Sequence, residues 1–213
     1  MQVCVKICGI TNPADAELAA SLGANMIGLN FYGQSPRCID GTVATSILRV
    51  LPATVEPVAL FVNESVPHIQ QVVSSLGICT VQMHGDSLAD PPAGLRWIPA
   101  FPVRDATSLQ QITSYLDRCQ ACGVGPSAVL VDAHVPGQFG GTGQTAPWRL
   151  LADYKPGVPL ILAGGLTPEN VAEAIRIVHP FAVDVASGVE CAPGRKDGEK
   201  MRRFIDAVRS VRG

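Results

Sequence analysis

The sequence predicts an α/β fold, a single-domain (β/α)8 barrel of parallel strands spanning residues 1–213. Three observations predict it. Eight short, almost continuously apolar segments recur along the chain, as strands covered on both faces of a parallel sheet do. Helix-period segments with recognisable starts and stops lie between them, the alternation of βαβ units. The length of 213 residues also suits one barrel of roughly 200–250 residues. A doubly wound open sheet is the alternative. It wants a glycine-rich fingerprint after the first strand, and "CGITNP" is not one.

The elements follow in order. "CVKIC" (Cys4–Cys8) is the first strand. Asn12 then offers an N-cap, Pro13 the first helical position and Gly23 a stop. "MIGLNF" (Met26–Phe31) is the second strand, and "TVATSILRVL" (Thr42–Leu51) reads as a helix despite its β-branched start. "PVALFV" (Pro57–Val62) precedes "SVPHIQQVVSSLG", with Ser65 or Val66 near the cap and Gly77 as the stop. "TVQMH" (Thr80–His84) and "WIPAF" (Trp97–Phe101) are followed by the helix-period run "DATSLQQITSYLDRC". "AVLVDA" (Ala128–Ala133) leads into a Gly-rich stretch, Ala133 to Pro147, without periodicity; loops of that length are usually functional or disordered. A short helix in "TAPWRLLADY" precedes "PLILAG" (Pro159–Gly164). "TPENVAEAIRIV" then repeats the cap grammar, with Thr167 as cap and Pro168 first. "AVDVAS" (Ala182–Ser187) and the helical "KDGEKMRRFIDAVRSVR" complete the pattern.

Composition narrows the function. With 47 % hydrophobic and 16 % charged residues, a sizeable core is easily filled. The net charge of −2 supplies no basic field for a polyanion, so nucleic acid is not an expected partner. No apolar run approaches the ~20 residues that span a bilayer, and the N-terminus lacks the grammar of a secretory signal. Seven cysteines, odd in number and irregular in spacing, read as reduced thiols of a cytoplasmic enzyme. Cys119 and Cys122 have C-x-x-C spacing without a second ligand pair, so they read as helix-end thiols. Cys4, Cys38 and Cys79 read as small buried hydrophobes.

In such a barrel the active site lies at the C-terminal ends of the strands. Polar residues ending strands are few: Cys8, Asn30, Asn63, His84, Asp132, Gly164 with Gly165, and Asp184 with Ser187. Side chains two apart share a strand face. Val5 and Ile7 belong against the helices, which turns Lys6 and Cys8 into the barrel. A buried lysine there needs a partner, either an anionic substrate or a carboxylate such as Asp184. Gln82 with His84, Leu130 with Asp132, and Asp184 pass the same test. His84 is a candidate substrate ligand or a hydrogen-bonded core residue. "LAGGLTPEN" and "DVASGVE" each run a strand into glycine, which lets backbone N–H groups approach an anion. Phosphate binding by the loops after strands seven and eight is a frequent barrel arrangement.

"KICGIT", "SPR", "VQMHGD", "VLVDA…GGTG", "LAGGLTPENV" and "DVASGVE…PGRKD" together resemble the phosphoribosylanthranilate isomerases, in order from Lys6 to Asp197. The resemblance implies an Amadori rearrangement in tryptophan biosynthesis. N-(5-phosphoribosyl)anthranilate becomes 1-(2-carboxyphenylamino)-1-deoxyribulose 5-phosphate, without cofactor or metal. It implies Cys8 as general base, Asp132 as general acid and Arg37 as the ligand of the anthranilate carboxylate. Gly164, Gly165, Ser187 and Gly188 would hold the phosphate, and Asp184 would lie near the substrate amine and hydroxyls. Ala186 and "QTAPW" depart from the usual pattern, Trp148 being retained.

The chemistry suits these residue types. An acid must protonate the furanose ring oxygen as the ring opens, and a base must then take the C2′ proton of the imine. A carboxyl with an ordinary pKa of ~3.9 needs burial or anionic neighbours to start protonated. A thiol starting from ~8.5 must become thiolate, and Lys6 on the same face would lower it. His68 and His179 read as surface groups, His134 as a loop residue, Glu190 and Arg195 as local caps or pairs, and Trp148 as packing. The expected partner is a small phosphosugar, with the chain a monomer or homodimer. Two other readings stand beside this one: another phosphosugar isomerase or epimerase on the same barrel, and a non-catalytic phosphate-binding barrel. The loops expected to close on the ligand are Ala133–Pro147 and Gly33–Asp40.

Overall fold

The computed structural model describes residues 2–85, 93–132 and 148–211. Eight parallel strands close into a barrel in sequence order. They are β1 (Cys4–Cys8), β2 (Met26–Asn30), β3 (Glu56–Val62), β4 (Thr80–His84), β5 (Arg96–Pro102), β6 (Val129–Asp132), β7 (Leu160–Ala163) and β8 (Ala182–Val185). Helices α1 (Pro13–Leu22), α2 (Gly41–Val50), α3 (Val66–Leu76), α4 (Ala106–Ala121), α5 (Trp148–Leu151), α6 (Val171–Val178) and α7 (Gly198–Ser210) flank it. The TIM-barrel expectation therefore holds, with strand boundaries off by no more than two residues. Among the described residues, no helix is long and apolar enough to cross a membrane.

The alternation argument holds as well. Val5, Ile7, Val183 and Val185 pack in the large core between sheet and helices. Met26, Val58, Ile98, Leu130, Ile161 and Ala182 form a separate inner core, with Cys4 against it. Two apolar layers thus sandwich each strand, which is why the strands read as unbroken hydrophobic runs.

Local chemistry sets the helix starts. Asn12 accepts a hydrogen bond from the Asp15 amide at 2.9 Å, and Gly23 ends α1 with φ of 100°. The β-branched start of α2 is tolerated because Asp40 caps it, accepting from the Val43 amide at 2.8 Å. The α6 expectation needs correction: the helix begins at Val171, three residues beyond Pro168. Asn170 folds back instead, its Oδ1 accepting from the Thr167 amide (2.8 Å) and its Nδ2 donating to the Gly165 carbonyl (2.9 Å). Thr167 still caps, its Oγ1 accepting from the Glu169 amide at 3.3 Å, but residues 168–170 form a turn ahead of the helix.

A small antiparallel hairpin, β9 (Glu190–Ala192) and β10 (Arg195–Lys196), follows a 3-10 turn at Ser187–Val189. Pro193–Gly194 makes its bend, a turn dipeptide that the strand–helix reading passed over. Two thiols also depart from expectation. Cys38 and Cys79 are exposed, because they sit in a loop and just before β4, outside either core. Cys119 is buried, and Cys122 is exposed one residue past the end of α4. Trp148 packs in the outer core, and His68 and His179 are exposed. His134 and the whole Ala133–Pro147 segment lie outside the described residues.

Candidate active site

The first and eighth strands pair with Lys6 directly opposite Asp184. Lys6 is completely buried, and its Nζ lies 2.9 Å from Asp184 Oδ1. Burial pulls the lysine pKa down, yet Asp184 and Cys8 outweigh it and hold the ammonium above its ordinary range. The carboxylate, not a substrate anion alone, is therefore the partner that a lysine inside a strand requires. Cys8 is buried one step further along the same face. Gly28 is its neighbour on β2. A Cβ at Gly28 would stand 2.7 Å from Cys8 Sγ and 3.0 Å from Lys6 Nζ, so the missing side chain gives thiol and ammonium their shared space. Burial pushes the Cys8 thiol up. Lys6 and Lys196 pull it down, and Asp184 adds to the rise. The expected pull from Lys6 is present, but burial wins and the resting group is the neutral thiol.

The "SPR" loop is assembled from β2. Asn30 is buried; its Oδ1 accepts from the Tyr32 amide (2.8 Å) and its Nδ2 donates to Ser35 Oγ (3.2 Å). Ser35 Oγ in turn accepts from the Arg37 amide at 3.1 Å. The Arg37 side chain then runs across Gly9, where a Cβ would collide with Arg37 Cδ, and Gly9 has φ of +71°. The strand bearing the thiol ends on glycine because an arginine must lie over it. Glu190 takes the guanidinium bidentately, from Nε at 2.7 Å and Nη2 at 2.6 Å. The expectation of purely local pairing for Glu190 is thus corrected. It bridges 153 residues to Arg37 as well as holding its near neighbour Lys196. Burial alone would raise the Glu190 carboxyl; Arg37 and Lys196 hold it below the usual range.

Gln82 and His84 share the inner face of β4, with Gln82 Nε2 2.7 Å from His84 Nε2. Burial first, then Lys6, push the His84 pKa down to about 4, so the ring is neutral at pH 7. Asp132 ends β6 half-buried, beside Pro102 and Ala163 in register. It alternates with inward Leu130, and β6 stands three strands round the barrel from β1. Both therefore end at the same mouth.

The last two loops touch. Gly164 and Gly165 have φ of 93° and 64°. Gly188 lies so close to Leu166 that an added Cβ would collide with the Leu166 carbonyl oxygen. Ser187 opens the 3-10 turn, exposed at the mouth. Among the described residues, no cluster of three or more His, Cys, Asp or Glu is arranged to hold a metal ion. Sequence reasoning missed Gly9, Gly28 and Lys196 as parts of the site. Lys196 stands inside "PGRKD" and Gly9 next to Cys8. Gly28, mid-strand in an apolar run, is itself a signal of close approach.

Comparison with known proteins bears on this arrangement. The family profile described as N-(5'phosphoribosyl)anthranilate (PRA) isomerase matches residues 5–207. An N-(5'-phosphoribosyl)anthranilate isomerase of Pelobacter propionicus is 45 % identical over 210 residues, covering 98 % of this chain and 96 % of its own. One from Neisseria gonorrhoeae is 45 % identical over 206 residues, covering 94 % and 93 %. The crystal structure of phosphoribosyl anthranilate isomerase from Thermotoga maritima superposes with a TM-score of 0.87 at 37 % identity, over 98 % of this chain and 100 % of that one. A structure of such an isomerase in complex with reduced 1-(o-carboxyphenylamino)-1-deoxyribulose 5-phosphate superposes at 0.84, with 35 % identity over the same shares.

Proposed function

The chain belongs to the family of N-(5'-phosphoribosyl)anthranilate isomerases and carries out that isomerisation in tryptophan biosynthesis, and from this premise we propose how its residues divide the reaction. Asp132 donates a proton to the furanose ring oxygen, and the ring opens to an imine. The Cys8 thiolate removes the C2′ proton, giving an enolamine that tautomerises to the ketose. The Cys8 thiol, neutral at rest, must first give up its proton, and Lys6 and Lys196 supply the positive charge that pulls it towards thiolate against the rise caused by burial. Asp184, held by Lys6, and neutral His84 face the sugar hydroxyls and amine. Arg37 meets the anthranilate carboxylate, and Gly164, Gly165, Ser187 and Gly188 meet the phosphate.

The observation that carries this reading is the thiol's position, on the inner rim of β1, beside a buried ammonium and over a glycine. We read residues 1–213 as one catalytic barrel acting on a small phosphosugar, as a monomer or homodimer. A relative from Thermotoga maritima is described as dimeric. We place the chain in the cytoplasm, where its seven free thiols stay reduced.

The test is a fluorescence-decay assay with freshly generated phosphoribosylanthranilate. Decay in proportion to enzyme is expected. Binding of the reduced product analogue without any decay would instead make the chain a phosphate-ligand-binding barrel.

A further inference from the structure

Resting on the reading of Arg37 as the anthranilate-carboxylate ligand, we propose that Glu190 and Lys196 are a positioning pair that presets where Arg37 stands relative to Cys8. Lys196 is fully buried at its side chain, and Glu190 is 5 % exposed. An ammonium has three donors. Those of Lys196 go to the Cys8 carbonyl (2.6 Å), the Ala186 carbonyl (3.1 Å) and Glu190 Oε1 (2.9 Å). Each acceptor belongs to a different part of the site: the end of the base's strand, the loop after β8, and the carboxylate that grips Arg37. One ammonium thereby ties three site elements together.

Glu190 controls which edge of the guanidinium is offered. It takes Nε and one N–H of Nη2, so the side edge is consumed. Among the described residues, Nη1 and the second N–H of Nη2 remain as a two-pronged end, the geometry that meets a carboxylate bidentately. The charges agree. Two cations around one carboxylate leave a single positive charge, and Arg37 is the member that reaches solvent, at 22 % exposure. A substrate carboxylate balances it. The hairpin carrying the pair is itself anchored. The Lys196 amide donates to Asp15 Oδ2 (3.1 Å), Thr11 Oγ1 to the Gly194 carbonyl (2.6 Å), and Lys200 Nζ to the Glu190 carbonyl (2.8 Å). Pro36, next to Arg37, lies against Gly194 so closely that a Cβ there would stand 2.9 Å from its carbonyl oxygen.

The experiment compares binding of the reduced product analogue with binding of its counterpart lacking the ring carboxylate. The readout is the preference, the ratio of the two Kd values measured on one protein, which partial loss of folded material does not change. Glu190→Gln, and Glu190→Asp as a second variant, should reduce the wild-type preference at least tenfold. KM should rise more than kcat falls. Lys196→Met should lose the preference and lower kcat as well, because the Cys8 carbonyl loses its donor. In an Arg37→Met background, Glu190→Gln should change the preference no further. If Arg37→Met loses the preference while the Glu190 and Lys196 variants keep it, Arg37 acts unaided and the positioning role is overturned. If Arg37→Met itself keeps the preference, the carboxylate reading of Arg37 fails and the pair has nothing to position.

Discussion

The ammonium of Lys6 and the carboxylate of Asp184 stand 2.9 Å apart, in direct register on adjacent strands, with the lysine wholly inside the barrel. Neither charge is tolerable there alone, and together they place a fixed positive group beside Cys8. The geometry makes consequences for the thiol, the loops and the pH response measurable.

Lys6→Met removes the largest downward pull on the Cys8 thiol, so its alkylation pKa should move up. It also leaves Asp184 buried without its partner, which should cost about 3–5 kcal/mol of stability. Alkylation rate against pH and urea unfolding check the two effects. Lys6→Met with Asp184→Asn should recover much of the stability but only part of the thiol's pKa, since Asp184's upward push goes with it. An unchanged alkylation pKa in Lys6→Met would give Lys6 another role.

Gly28→Ala puts a methyl group into the space between Cys8 Sγ and Lys6 Nζ. Overpacking of this kind costs about 1–3 kcal/mol. Activity should fall much further than melting temperature suggests, because the displaced atom is the proposed base. Steady-state kinetics on protein shown folded by circular dichroism test this; near-normal kcat would mean the thiol is not held where it matters.

Gly188→Ala would drive a Cβ into the Leu166 carbonyl and part the loops after β7 and β8. If those loops hold the phosphate, KM should rise about tenfold or more, and inhibition by inorganic phosphate should weaken in parallel, since displaced N–H donors lose charge-assisted hydrogen bonds. Loss of kcat at unchanged KM would place the phosphate elsewhere.

His84 sets a pH dependence of stability. Its pKa falls from the ordinary 6.5 to about 4 on folding, through burial and then Lys6. Between those values the unfolded chain binds the proton and the native one does not. The stabilisation is therefore present above pH 6.5 and is lost as pH falls towards 4. Urea unfolding at pH 7 and pH 4.5 should show the decline, and His84→Asn should flatten it.

Much of this was legible in the sequence because period-2 alternation and unbroken apolar strands are imposed by the barrel's two packing layers. Val5 and Ile7 had to face the helices, so Lys6 and Cys8 had to face inward. What was not legible depended on distant pieces of chain meeting. Nothing local to Glu190 says that it grips Arg37, and the glycine in "MIGLN" signals a close approach without saying that a thiol and an ammonium are what approach. The α6 start comes late for a related reason: Thr167 caps as expected, but the Asn170 side chain bonds back to the Thr167 amide and the Gly165 carbonyl in a turn that cap grammar alone does not reveal.

The central claim is that the Cys8 thiol and the Asp132 carboxyl move the two protons. Cys8→Ala and Asp132→Asn, each assayed by fluorescence decay alongside titration with the reduced product analogue, test it most directly. Each variant should lose about 10²–10⁴-fold in kcat or more while still binding the analogue. Turnover close to that of the unaltered protein in either variant would contradict the assignment.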